Sequence, residues 1–110
     1  MEEAVIVEAL RLPIGRRRGV FAETRPEYLL SHILKETVKR SGIDPKLIDD
    51  VIVGCVTQTD EQGNNIARIA SLMAGLDVET PAMTINRKCG SSQQAINQAA
   101  QAIMVGDQDV

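Results

Sequence analysis

The sequence predicts an α/β fold in which helices cover a parallel sheet. Three short runs of apolar, mostly β-branched residues alternate with three segments of helical periodicity. Apolar residues make up 44% of the 110 residues but aromatic residues only 2%, so any core must be aliphatic, which suits strands buried between helices. The order βαβαβα is typical of right-handed βαβ units, and the length suits one compact domain.

The first half of the chain predicts a strand followed by a helix. Residues 4–10 form a short apolar run, and residues 11–15 end it with turn residues. Residues 31–40 indicate a helix that begins a few residues earlier, near Pro26, and stops at Gly42. Its apolar face is predicted to contain Tyr28, Leu29, Ile33, Leu34 and Val38.

The second half repeats this alternation. Residues 44–45 indicate a turn or a short helical piece, and residues 51–56 form a continuous apolar run that predicts a strand buried on both faces. The polar residues 57–65 are expected to form a loop. Residues 66–74 have helical spacing, and residues 82–86 form the third apolar run.

The last predicted helix, residues 90–106, contains no charged residue. A solvent-facing helix normally carries Lys or Glu on its polar side. Small residues at Ala95, Ala99 and Ala102 also form a stripe, so we expect this helix to be buried on most sides. By the same alternation Val110 begins a fourth strand, and we interpret the chain as a truncated part of this fold.

Cys89 is the candidate catalytic residue because it lies between the third predicted strand and this helix. The first turn of a helix has unpaired N–H groups and the positive end of the macrodipole, both of which favour a thiolate. Arg87 and Lys88 act in the same direction. The residues alone leave two interpretations equally open, namely an activated nucleophile and a buried structural cysteine.

Composition excludes several other functions. The net charge of −3 argues against nucleic-acid binding. Cys55 and Cys89 cannot form a zinc site by themselves, so we predict no metal site, and a disulfide between them stays possible. The acidic N-terminus and the lack of an apolar run of membrane length predict a cytoplasmic protein without a membrane span. Arg16–Arg18 form either a solvated loop or a contact for an anionic ligand or partner.

The chain resembles the N-terminal part of a thiolase along essentially its whole length. The specific motif is Asn86-Arg-Lys-Cys89-Gly-Ser-Ser-Gln-Gln-Ala95, which leads to Gly106-Asp107. Weaker matches are Arg11-Leu-Pro-Ile-Gly15, Gly54 and Asn65-Ile-Ala-Arg68. Ser92 stands where many biosynthetic members have glycine, so the motif is closest to that of the degradative 3-ketoacyl-CoA thiolases.

The resemblance implies an α/β/α/β/α layered fold and an acyltransferase in which Cys89 takes the acyl group from acyl-CoA or 3-ketoacyl-CoA. It also implies that coenzyme A thioesters are substrates, that no cofactor is needed, and that the full-length protein is a homodimer or homotetramer. The activating histidine, a second cysteine and most coenzyme A contacts belong to later parts of the family's chain. We therefore expect residues 1–110, as an incomplete N-terminal domain, to be inactive alone and leave the cofactor-binding residues unassigned.

The remaining candidates receive structural interpretations. His32 matches no family motif and is expected to be an ordinary helix-surface residue, and Cys55 is expected to be a buried small hydrophobe.

Two alternative functions stay open. One is a related condensing enzyme, such as a ketoacyl synthase or a hydroxymethylglutaryl-CoA synthase, although Asn86 and the Gly-Ser-Ser sequence favour a thiolase. The other is a non-catalytic interaction fragment.

Overall fold

A computed structural model describes all 110 residues and confirms the α/β class. It contains three α-helices and two β-strands, joined by loops with two short 3₁₀ helices at Pro45–Leu47 and Asp60–Gln62. The helices and strands are α1 (Pro26–Ser41), β1 (Val51–Gly54), α2 (Ile66–Met73), β2 (Ala82–Ile85) and α3 (Ser91–Met104).

The two strands form a parallel pair in which Val51 lies opposite Ala82 and Gly54 opposite Ile85. The ladder continues past the carboxyl end of β1, where the Cys55 N–H donates to the Ile85 carbonyl at 2.9 Å. Helix α2 forms the crossover connection that a parallel pair requires. Both strands therefore end at the same edge of the sheet, and the chain leaves this edge toward Cys89.

The core lies between α2 and the strands. Its best-buried apolar side chains are Val51, Ile66, Ala67, Ala70, Leu76 and Ala95. Helix α1 packs on α2, and α3 packs on β1 and β2. Because β1 and β2 are only four residues long, they cover little of each helix, and this limits how much apolar surface is buried.

The prediction of a strand at residues 4–10 is wrong, because these residues form no strand in the structure. Ile6 is 78% exposed, and the one backbone bond that ties down this part of the chain runs from the Glu2 N–H to the Met104 carbonyl at 3.0 Å. The β-branched composition favours an extended backbone, but a strand also needs a neighbour that pairs with its N–H and C=O groups. Residues 4–10 have no such neighbour, whereas β1 and β2 pair with each other.

Helix α1 confirms the predicted start and stop. Pro26 occupies the first helical position, and Gly42 ends the helix with φ of 73°, a left-handed conformation that glycine adopts without strain. One assignment to the apolar face is wrong, since Tyr28 is exposed. Tyr28 and Glu27 share the first turn of α1, and it is Glu27 that faces the protein and is buried.

The first turn of α1 contains a buried acidic residue, Glu27. Arg25 pairs with it at 2.5 Å and also lies 3.6 Å from Glu61 in the loop after β1. A hydrogen bond from its own backbone N–H, together with Arg25, lowers the pKa of Glu27, while burial opposes the shift. Its second oxygen, Oε2, is buried without a hydrogen-bond partner.

Helix α3 confirms its predicted position but not its predicted burial. Only Ser91 and Ala95 are buried, and Ile96 is 58% exposed. The helix packs mainly on β1 and β2, and much of its outer face is exposed although it carries no charge. The absence of charge was therefore not a sufficient indicator of burial in this chain.

Residues 107–110 do not form the predicted fourth strand. Instead they are tied to Asp49, whose carboxylate accepts hydrogen bonds from the backbone N–H groups of Asp109 at 2.7 Å and Val110 at 3.2 Å. These two bonds lower the pKa of Asp49 because they stabilise its charged form. The end of the chain is thus fixed beside the entrance to β1.

Candidate active site

Cys89 lies in a tight turn between β2 and α3. The Gly90 N–H donates to the Arg87 carbonyl and the Ser91 N–H to the Lys88 carbonyl, both at 3.1 Å. Lys88 has φ of 50°, which costs a non-glycine residue about 1–2 kcal/mol. The thiol is exposed, which argues against the alternative of a buried structural cysteine.

The side chain of Ser91 closes this turn. Its Oγ accepts a hydrogen bond from the Arg87 N–H at 2.9 Å and donates one to the Lys88 carbonyl at 2.5 Å. Ser91 is only 4% exposed, so water does not compete for these bonds. Asn86 adds a third bond, from the Lys88 N–H to its Oδ1 at 3.0 Å. Hydrogen bonds with Asn86 before Lys88 and with Ser91 after it therefore hold the left-handed backbone of Lys88 in place.

Gly54 allows α3 to begin directly against the sheet. A Cβ at this position would lie 2.2 Å from the Ser92 nitrogen and 2.4 Å from the Ser91 carbonyl carbon. Both are backbone atoms, so no side-chain rotation could relieve the overlap. The missing side chain of Gly54 thus sets the separation between the end of β1 and the turn that carries Cys89.

Three backbone donors at the start of α3 are free. The N–H groups of Cys89, Ser92 and Gln93 donate to no protein acceptor. The first turn of a helix leaves such donors unpaired, and the macrodipole adds positive charge at the same end. Neither Arg87 nor Lys88 forms a salt bridge, so no carboxylate offsets their charge. This arrangement can stabilise an anion close to the sulfur of Cys89.

A polar cavity of about 380 Å³ opens beside this turn. Its walls are Arg87, Gly90, Gln93, Gln94 and Asn97. The Arg87 guanidinium donates to the Gln94 side chain, which holds the arginine along the first turns of α3. An apolar cavity of about 310 Å³ near the amino end of β1 contains neither cysteine, and a second apolar cavity, of about 320 Å³, is lined in part by Cys55.

The other sequence candidates lie outside this turn. Cys55 follows β1 and is only half buried, with its thiol 3.7 Å from the Thr57 carbonyl oxygen and 3.6 Å from Gln62 Oε1. Cys55 and Cys89 are both free thiols. His32 is an exposed residue of α1, as predicted, and no histidine takes part in the hydrogen bonds of the Cys89 turn.

The arginine segment is a solvent-exposed turn. The Gly19 N–H donates to the Arg16 carbonyl at 2.9 Å, and Arg18 has φ of 58°. None of the three arginines pairs with a carboxylate. The segment is thus exposed and contacts no anionic group of this chain, and its contact with an anionic ligand or partner stays a prediction.

A polar network that sequence reasoning missed joins α2 to β2. The Thr84 hydroxyl accepts from the Ala67 N–H at 3.1 Å and donates to Asn65 Oδ1 at 2.8 Å, while Asn65 Nδ2 donates to the Ala82 carbonyl at 2.9 Å. Arg68 adds bonds to the carbonyls of Thr80 and Val78 at 2.7 and 2.8 Å. The only sequence signal was an asparagine directly before a predicted helix, which is typical of an N-cap.

Neither a metal site nor a membrane-spanning helix is found in the structure. The chain contains no cluster of three or more His, Cys, Asp or Glu residues with the geometry of a metal site. None of the helices has both the length and the apolarity needed to cross a membrane.

The fold and the site define an α/β domain that presents a cysteine at the start of a helix. Comparison with known proteins gives the family: the profile of the N-terminal domain of thiolases matches residues 4–110. The chain is 52% identical to a 3-ketoacyl-CoA thiolase of Aliivibrio salmonicida over its whole length and 54% identical to one of a Shewanella strain over 96% of its length. A 3-ketoacyl-CoA thiolase of Pectobacterium carotovorum is 49% identical.

The chain therefore belongs to the thiolase family. It spans 29% of the length of the Aliivibrio and Pectobacterium relatives and 28% of the Shewanella relative. The recognised resemblance, including its likeness to 3-ketoacyl-CoA thiolases, is confirmed by these matches.

Proposed function

We propose that this chain is the N-terminal portion of a thiolase-type acyl-CoA acyltransferase and that Cys89 is its nucleophile. The observation that carries the proposal is the position of Cys89, exposed at the start of α3 beside three free backbone N–H groups. The thiolate is the reactive form of a cysteine, and free N–H donors at a helix start can hold an anion beside it. The names of the relatives favour 3-ketoacyl-CoA as the substrate over the substrates of other condensing enzymes.

In the proposed thiolysis, the Cys89 thiolate adds to the 3-keto carbonyl carbon. Collapse of the tetrahedral oxyanion breaks the bond between C2 and C3, and the leaving acetyl-CoA carbanion takes up a proton. The thiol of coenzyme A then attacks the acyl-Cys89 thioester, which gives a shortened acyl-CoA and restores Cys89. The free Cys89 N–H supports this proposal as one donor to the oxyanion.

The base and the second proton carrier are not among the residues of this turn, whose side chains are those of Arg87, Lys88, Cys89 and Ser91. By resemblance to the family, a histidine and a second cysteine of the full-length protein supply them. We therefore propose that the 110-residue chain alone has no thiolase turnover. Measurable cleavage of acetoacetyl-CoA by the isolated chain would contradict this part of the proposal.

Peptide mapping of the acylated protein tests the nucleophile. The full-length protein that contains this chain is incubated with acetoacetyl-CoA, quenched in acid and digested with trypsin. Residues 89–110 contain no Lys or Arg, so cleavage after Lys88 places Cys89 at the start of its peptide. We expect the acyl group on that peptide, its loss in C89A, and its retention in the matched control C55A. Turnover with an unmodified Cys89 would refute the assignment.

The assembly and location of the full-length protein complete the proposal. We infer a homodimer or homotetramer in the cytoplasm, with coenzyme A and its thioesters as the small-molecule partners. Light scattering coupled to size-exclusion chromatography measures the assembly, and a monomeric mass with full activity would contradict it.

A further inference from the structure

We propose that Ser91 is a positioning residue for Cys89, acting through the strained backbone of Lys88. This inference rests on the proposed role of Cys89 as the nucleophile. Ser91 is distinguished from its neighbour Ser92 by burial and by bonding: the Ser91 hydroxyl forms two hydrogen bonds within the turn, whereas Ser92 is exposed and its side chain forms none.

The argument begins with the backbone of Lys88. A lysine with φ of 50° persists only where the surrounding structure holds it there. The Ser91 hydroxyl bonds to atoms on both sides of this residue, namely the Arg87 N–H that precedes it and the Lys88 carbonyl that follows. Without the hydroxyl, Lys88 is free to return to a right-handed or extended conformation, and such a change rotates the next peptide, which carries the Cys89 N–H.

The second step concerns the start of α3. Because the backbone of Ser91 and Ser92 lies against Gly54, the helix cannot move toward β1 to compensate for a change in the turn. The loss of the Ser91 hydroxyl therefore displaces Cys89 rather than the helix. A displacement of about 1 Å at a reacting group costs up to a hundredfold in rate.

The proposal predicts a specific kinetic difference between S91A and S92A in the full-length protein. S91A is expected to lower kcat for acetoacetyl-CoA thiolysis by about tenfold to a hundredfold with KM within about twofold, because substrate contacts are intact while the nucleophile is misplaced. S92A removes only an exposed hydroxyl without hydrogen bonds and keeps the backbone N–H, so it is expected to leave both values within about twofold. Equal values for the two variants would overturn the proposal, even if S91A lowers Tm.

A double-mutant cycle with K88G tests the mechanism. Glycine adopts positive φ without strain, so the S91A substitution should lower kcat less in the K88G background than in the wild type. An equal loss in both backgrounds would overturn the action through Lys88. If S91A does not fold, N86A replaces it, because the exposed Asn86 accepts a hydrogen bond from the Lys88 N–H and so also holds the Lys88 backbone. A loss of kcat smaller than the tenfold to hundredfold expected for S91A supports the proposal, and an unchanged kcat refutes it.

Alkylation separates this proposal from the proposed function. The rate at which iodoacetamide modifies Cys89 reports its local environment without any thiolase chemistry, and S91A should change this rate while S92A should not. Wild-type protein that never acylates Cys89 would refute the proposed function, whatever Ser91 does. Wild-type protein that acylates Cys89, with equal alkylation rates in S91A and S92A, would refute only the positioning role.

Discussion

Replacing Thr84 by valine tests how much the polar network between α2 and β2 contributes to stability. The substitution keeps the shape of the side chain and removes only the hydroxyl, which is the sole acceptor for the Ala67 N–H. Ala67 is 0% exposed and lies in the first turn of α2, so its N–H has neither water nor an intrahelical partner. A buried donor left without a partner costs about 1–3 kcal/mol, and we expect T84V to destabilise the chain by about 2 kcal/mol.

Urea unfolding followed by far-UV circular dichroism measures this loss, which corresponds to a midpoint lower by roughly 1 M. The matched control is T37V. The Thr37 hydroxyl donates to the Ile33 carbonyl at 2.7 Å, an acceptor that lies within α1 and keeps its helical N–H partner. T37V should therefore change stability by less than about 0.5 kcal/mol. If the two variants lose the same stability, the reasoning from the orphaned Ala67 N–H is refuted.

Two further predictions concern Gly54 and Asp49. G54A places a Cβ 2.2 Å from a backbone atom and should destabilise the chain by at least about 3 kcal/mol. In G90A the new Cβ would lie 3.5 Å from the Arg87 carbonyl oxygen, so the expected change is below about 0.5 kcal/mol, and thermal melts that show equal shifts for the two variants would contradict this. The lowered pKa of Asp49 contributes stability that is present above its unfolded pKa of about 3.9 and is lost as the pH falls through the lower folded value. D49N should therefore be less stable than the wild type at pH 7, with the difference shrinking in acid, and a constant difference in Tm across this range would disprove the linkage.

The elements that were predicted correctly are those with local signals. Pro26 and Gly42 mark the two ends of α1 because their backbone preferences act within one residue. The strands β1 and β2 follow from continuous apolar runs. Cys89 was identified from its position between a strand and a helix and from the motif around it, and that position is where the structure has it.

The errors concern properties that depend on partners distant in sequence. Residues 4–10 have the composition of a strand, but pairing is decided by whether another strand lies alongside. The charge-free face of α3 predicts burial, although burial depends on what packs against it. The contacts of Ser91 and Gly54 were also not predicted, since a buried hydroxyl and a close backbone approach can be recognised only when both contacting groups are in place.

The hydrogen bonds of the Thr84 hydroxyl also affect the register of the two strands. The residues that face each other across the sheet are Val51 to Gly54 and Ala82 to Ile85, and Thr84 is the only one with a polar side chain. Strands that are apolar on both faces lack the alternation of polar and apolar residues that defines register, so a specific polar contact matters more. A slip of β2 by one residue would bring Met83 or Ile85 to Asn65 and leave its amide without the hydroxyl partner. The Thr84 hydroxyl and the bond from Asn65 to the Ala82 carbonyl therefore both favour the observed alignment of the strands, and with it the position at which the chain leaves β2 toward Cys89.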